Sequence, residues 1–153
     1  MSEDLIRLQA EPIDAGRAWT LESTAGGVCV FLGTTRSETN SDGRALIALD
    51  YEAYEQMAVR QMRDLAARAR RRWPIVKLAI LHRVGRVALG EPSVLIAVAT
   101  PHRAEAFEAC RWLIDTLKAE TAIWKKEVWA DGTGTWVHPE EGAKGEGRGT
   151  SRD

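Results

Sequence analysis

The chain reads as a single α+β domain: a mostly antiparallel sheet with two main helices packed on it, plus a short N-terminal helix. Two patterns predict this. Short apolar runs bounded by glycine or polar turns recur along the sequence, whereas two long segments carry apolar residues at helical spacing. Their order is two strands, a helix, further strands, a second helix and a strand, which layers helices against one face of a sheet. At 153 residues the chain is long enough for one well-buried core.

Leu5 to Leu8 is expected as a short strand, and Asp14 as the N-cap of a brief helix over 15–22. Gly26 and Gly27 open the run VCVFLG, a buried strand ending at Gly33. The polar stretch from Thr34 to Arg44 carries an Asp42-Gly43 turn signal, which suggests a hairpin joining that strand antiparallel to another at Ala45 to Glu52. Tyr54, Met57, Met62, Leu65, Ala69 and Trp73 then mark the buried side of a helix that Pro74 stops. Ile75 to Leu81 and Val84 to Leu89 read as two strands, and Val94 to Ala99 as an interior one. A second helix spans Arg103 to Ala119 with Phe107, Cys110, Ile114 and Leu117 inward. Ile123 to Trp129 is the last expected strand. Residues 1–137 form the domain; from His138 the Gly-, Glu- and Lys-rich composition predicts a disordered tail over 138–153.

Composition narrows the function. A net charge of -1 argues against broad nucleic-acid or membrane-surface binding, so any cationic site must be local. Cys29 and Cys110 lie in apolar runs without metal-ligand spacing and read as reduced, buried thiols of a cytoplasmic protein. The N-terminus lacks a signal-peptide pattern, and no apolar run approaches membrane-spanning length. Zinc spacings, a nucleophile elbow, a P-loop and a dinucleotide fingerprint are all missing, so no metal or resident cofactor is expected.

Local cations cluster between Thr100 and Glu127. His102 and Arg103 fall at a strand-to-helix junction, where unpaired backbone N–H groups favour an anion; the competing reading makes His102 a cap and Arg103 solvated. Lys118 closes the second helix, where the dipole alone suits a cation. Lys125 and Lys126 alternate on a strand, so one faces inward and the other solvent. Gathering these cations is costly unless an anion fills the space. Thr34, Thr35 and Arg36 follow Gly33 at the mouth of a strand, a weaker ligand signal. His82 and Arg83 repeat the His-Arg pair without a following helix and read as structural.

The strings VFLGTTR, LDYEAYEQMA, RRRWPIVKLAILHRVGRV, ATPHRAEAFEACRWLIDTLKAETAIWKKE and GTW resemble the large, catalytic subunit of molybdopterin synthase across about residues 5 to 137. The resemblance implies a sulfurtransferase of molybdenum cofactor biosynthesis. Such an enzyme converts cyclic pyranopterin monophosphate to molybdopterin by installing two dithiolene sulfurs. It implies as partners a small ubiquitin-like sulfur carrier with a C-terminal Gly-Gly thiocarboxylate and a second copy of this chain, a homodimer at the core of a heterotetramer. The matching pocket positions are Arg36, His102, Arg103, Lys118 and Lys125, flanked by Thr34, Thr35, Lys126 and Glu127. Lys118 would be the central catalytic group, assisted by Lys125. Two other classes stay open: a non-catalytic module binding a phosphorylated ligand or a ubiquitin-like tail, and an RNA-binding domain, which the near-neutral charge disfavours.

Overall fold

The computed structural model describes residues 4–16 and 24–137. Ten elements follow in order: β1 (Leu5–Gln9), β2 (Gly27–Thr34), β3 (Leu46–Ala53), α1 (Glu55–Arg72), β4 (Lys77–Arg83), β5 (Gly85–Ala88), β6 (Pro92–Thr100), α2 (Arg103–Glu120), β7 (Ile123–Trp129) and β8 (Gly134–Val137). They build two four-stranded sheets, ordered β1-β4-β6-β2 and β5-β3-β7-β8. Every pairing is antiparallel except β1 with β4. The α+β class and the two main helices match the expectation from sequence.

The hairpin does not form. β2 pairs with β6, and β3 pairs with β5 and β7 in the other sheet. The polar connection turns on itself instead: Asn40 Oδ1 accepts the N–H groups of Asp42 and Arg44, and Thr39 bridges Ala45. The competing partner is β6. Its residues Val94 to Ala99 are all buried, and a strand buried on both faces must be flanked on both sides to satisfy its backbone. β4 and β2 supply those flanks.

Both helices lie on one face of the first sheet. Met62, Leu65 and Ala69 of α1 and Ala109, Leu113 and Leu117 of α2 meet Leu78, Ile80, Val94, Ile96 and Val98. The opposite face is covered at its centre by Ile13, which packs with Ala79, Leu81, Leu95 and Ala97. Towards the β2 edge that face is open. Val28 (41%), Val30 (45%) and Leu32 (38%) remain exposed there.

α1 ends where the sequence requires it to. Pro74 lacks a donor and Trp73 is already extended, with its N–H returning to the Ala69 carbonyl. Tyr54, Met57 and Phe107, expected inward, are exposed. They sit in or near the first turns of their helices, where the buried positions belong to small alanines, Ala58 and Ala106. β4 runs almost directly into β5, and the chain passes between sheets at Gly85, whose φ of 86° is open to glycine at no steric cost. β8 was not expected; a turn at Asp131 and Gly132 returns the chain to pair Lys126 with Trp136. The expected N-terminal helix lies mostly outside the described residues; Ala15 and Gly16 form a turn, with the Gly16 N–H donated to Asp14 Oδ1. The tail from His138 lies wholly outside them.

Candidate functional site

Four chemistry-bearing residues meet where the two sheets adjoin. His82, near the end of β4, is buried. Its Nδ1 lies 2.7 Å from the Arg83 carbonyl, so Nδ1 carries the proton and Nε2 keeps its lone pair. The edge of its ring meets the ring of Tyr51 on β3, with centroids 5.0 Å apart and planes at 73°. Tyr51 is directly opposite Lys125 on β7. Directly opposed residues of antiparallel strands share a face, so Lys125 stands beside Tyr51. Lys118, in the last turn of α2, is near enough for its charge to act on His82.

Burial pushes the His82 imidazole down to about 4; its bond to the Arg83 carbonyl opposes this in part, and the Lys118 ammonium adds a smaller push downward. His82 is therefore neutral near pH 7. It forms a dry, uncharged wall between two lysines, where a protonated ring would add a third positive charge.

Lys126 belongs to the opposite face. It lies opposite Asp50, and its Nζ sits 5.7 Å from the centre of the Trp136 ring. Arg86 donates two hydrogen bonds to the Asp50 carboxylate, at 2.8 and 2.9 Å. Asp50 is held below its ordinary value first by that pairing and last by the Lys126 charge. Gly134 lets Lys126 lie across β8, since a Cβ there would stand 2.2 Å from the Lys126 Cε. Glu127 lies opposite Leu49, on the face shared by Lys125 and Tyr51.

Thr34 ends β2 beside Pro92, after a break in register at Gly33. Thr35 is buried; its N–H donates to the Glu91 carbonyl and its carbonyl accepts from Gly90. Its Oγ1 has no hydrogen-bond partner among the described residues. Arg36 follows on the exposed surface. Because Pro92 and Val94 are neighbours on β6, and Val94 pairs with His82, the Thr34–Arg36 segment lies at the same end of the first sheet as His82 and Lys118.

His102 and Arg103 are at the other end. They begin α2 beyond Thr100, which is paired with Gly27 at the start of β2. The chain is tightly packed at this junction. A Cβ on Gly27 would stand 2.7 Å from the Arg103 Cα, one on Gly26 would stand 2.3 Å from the Pro101 carbonyl oxygen, and Thr100 Oγ1 donates to the His102 carbonyl at 2.5 Å. Both side chains are exposed, and His102 makes no capping bond. The helical rise carries Lys118 roughly 22 Å along α2 from Arg103, more than two side chains can bridge. Within one chain, the expected convergence of cations therefore splits into two groups: Arg36, Lys118 and Lys125 at one end, His102 and Arg103 at the other.

Sequence reasoning passed over His82 and Tyr51. His82 was set aside because no helix follows it; its contact partners come from β3 and α2, which are distant in sequence. The available signal was its position at the end of a strand buried along nearly its whole length. No group of three or more metal-ligating side chains occurs among the described residues, and no described helix is long and apolar enough to cross a membrane.

Comparison with known proteins adds the family. Residues 8–120 match the model of the MoaE protein family. The molybdopterin synthase catalytic subunit of Nostoc sp. is 50% identical over 117 residues, spanning 76% of this chain and 70% of that one. Among solved structures, molybdopterin synthase from Staphylococcus aureus superposes with a TM-score of 0.80 at 34% identity, over 87% of this chain and 96% of that chain. A complex of subunits 1 and 2 of molybdopterin-converting factor from Helicobacter pylori shares the fold, with a TM-score of 0.63 at 24% identity over 74% of this chain and 73% of that chain. With the family model spanning well over half of the chain and a relative at half identity, this chain belongs to the MoaE family, that of the molybdopterin synthase catalytic subunits.

Proposed function

We propose that the chain is a sulfurtransferase subunit that converts cyclic pyranopterin monophosphate to molybdopterin, taking both dithiolene sulfurs from the C-terminal thiocarboxylate of a small ubiquitin-like partner. The observation that carries the reading is the approach of Lys118 and Lys125 to the same contact of buried His82 with half-buried Tyr51. Two ammonium groups over an uncharged, desolvated wall suit an anionic substrate and a reaction that releases a carboxylate. Lys118 is the central catalytic group and Lys125 assists in proton transfer or anion stabilisation. The small partner has its counterpart in the two-subunit assembly of the Helicobacter pylori protein. The protein works in the cytoplasm, where thiols stay reduced.

The substrate's phosphate and pterin need Arg36, His102 and Arg103, and the separation along α2 requires two chains to assemble that set. β2 is an edge strand with an open apolar face. A two-fold axis packing β2 against β2 of a second copy runs the two strands in opposite directions. The Gly27 end of one copy, with its His102 and Arg103, then lies beside the Thr34–Arg36 end of the other. Each of the two sites so formed takes Arg36, Lys118 and Lys125 from one chain and His102 and Arg103 from its mate.

The direct test is reconstitution. The Lys118→Ala protein is mixed with thiocarboxylated small subunit and precursor, and the pterin dithiolene is quantified. The expected loss is at least a hundredfold with the fold intact by circular dichroism; near-normal dithiolene formation refutes the assignment.

A further inference from the structure

The two cysteines of the chain are distant in sequence but adjacent in the fold. Cys29 is on β2 and Cys110 in the middle of α2, and both are reduced. Cys29 pairs with Val98 and Phe31 with Ile96 across the β2–β6 ladder. α2 crosses this ladder so that Cys110 Sγ lies 3.8 Å from the Ile96 carbonyl oxygen, and the Cys29 thiol is near enough to act on it. Cys110 belongs to the main apolar cluster, and Cys29 packs against it from the half-exposed edge. This is the helix side of β2, opposite the open Val28, Val30 and Leu32 face.

We propose that Cys29 and Cys110 form a peroxide-sensitive dithiol, a modification site that closes into an intramolecular disulfide joining the edge strand to α2. The two sulfurs have different parts in the reaction. Cys110 is the poor nucleophile: burial first, then the adjoining Cys29 thiol, pushes it up to about 12. Cys29, nearer solvent, therefore reacts first. Its thiolate attacks one oxygen of hydrogen peroxide, the O–O bond breaks, and the hydroxide that leaves is protonated to water. Sulfur is oxidised to a sulfenic acid. Capping Cys29 removes the neighbouring charge that disfavoured ionisation of Cys110. The Cys110 thiolate then attacks the sulfenic sulfur, forming the S–S bond as the S–O bond breaks and a second water leaves. Two thiols and one peroxide give one disulfide and two waters.

The cross-link joins the strand that leads into Arg36 to the helix that carries Arg103 and Lys118, so it fastens together the elements that hold the site. The test treats the reduced full chain with graded hydrogen peroxide, quenches with an alkylating agent under denaturing conditions, and reads intact mass and a non-reducing peptide map. The expected result is loss of the two thiol hydrogens, a Cys29–Cys110 linked peptide pair, and no covalent dimer. Cys29→Ser and Cys110→Ala each abolish the linked pair, and in the Cys110→Ala protein the Cys29 thiol is oxidised alone. The proposal is overturned if both cysteines still alkylate at peroxide levels that oxidise glutathione, if they oxidise separately without joining, or if the disulfide formed links two chains.

Discussion

The division of cations between two ends of the molecule predicts that two dead subunits can restore each other. Lys118→Ala inactivates the lysine end of a chain and leaves its His102 and Arg103 intact, whereas Arg103→Ala does the reverse. Arg103 and Lys118 are separated by roughly 22 Å along α2, and Thr34 and Thr100 by roughly 26 Å along the β2–β6 ladder, so one chain cannot bring both ends to one substrate. Each homodimer then has two defective sites. A mixed dimer has one site with both lesions and one with neither. Random exchange makes half of all dimers mixed, so an equimolar mixture regains roughly one quarter of wild-type sites. The assay is dithiolene formation with excess thiocarboxylated small subunit, after the two purified variants are mixed, briefly destabilised in mild denaturant and allowed to reassociate. A site contained within one chain gives no recovery. A mixture that stays at the level of its parents, while tagged subunits co-purify and so prove exchange, refutes the composite arrangement.

The remaining predictions follow from the same geometry. Lys125→Ala removes a group beside Tyr51 and lowers turnover by at least tenfold, whereas Lys126→Ala removes one beside Asp50 and Trp136 on the opposite face and changes it less than threefold; steady-state kinetics of both variants with saturating partner decides. His82 gives stability a pH dependence. Its folded-state value is depressed to about 4 from 6.5, so between those values the unfolded chain binds the proton first and stability falls as pH falls. The loss amounts to about 3 kcal/mol across that window; urea titrations from pH 7 to pH 4 should show it, and a His82→Gln protein should lack that component. Gly27→Val drives a side chain into the Arg103 backbone, so it lowers the melting temperature by several degrees or shifts the start of α2, which thermal unfolding with amide exchange at residues 102–106 reads out.

Apolar patterning made most of the elements legible. The run Val94 to Ala99 announced a strand buried on both faces, Pro74 fixed the end of α1, and alternation placed Lys125 and Lys126 on opposite faces. The pairing of β2 with β3 was misread because a turn signal reports only local geometry: Asp42-Gly43 does turn the chain, but within the connection. Which strand lies beside which depended on the demand of β6 for two neighbours, which no window around residues 35–45 contains. Phe107 failed for a similar reason. Helical spacing identifies a stripe, but the buried one at the start of α2 runs through Ala106, Ala109 and Cys110 and leaves Phe107 exposed on its flank.

The site was legible by residue type and illegible in arrangement. Reading His102, Arg103, Lys118 and Lys125 as one cluster assumed that nearness in sequence around a strand and a helix means nearness in space, yet an 18-residue helix keeps its two ends apart. What holds Lys118 and Lys125 near each other is instead a chain of contacts through β3 and β4. Lys125 faces Tyr51 across a ladder, Tyr51 meets His82 ring to ring, and His82 feels the Lys118 charge. His82, read from sequence as structural, is buried as that reading expects, and its ring also meets Tyr51 within reach of the Lys118 charge. Its neutrality suits that place, because a carboxylate there would pair with the lysines and neutralise the attraction for substrate, while a cation would repel both. Such a wall costs a pH-dependent loss of stability in acid. The same residue thus links the chemistry of the site to the folding of the sheet beneath it, and a variant that keeps the wall apolar and of similar shape, such as His82→Phe, should retain more turnover than a charged His82→Lys.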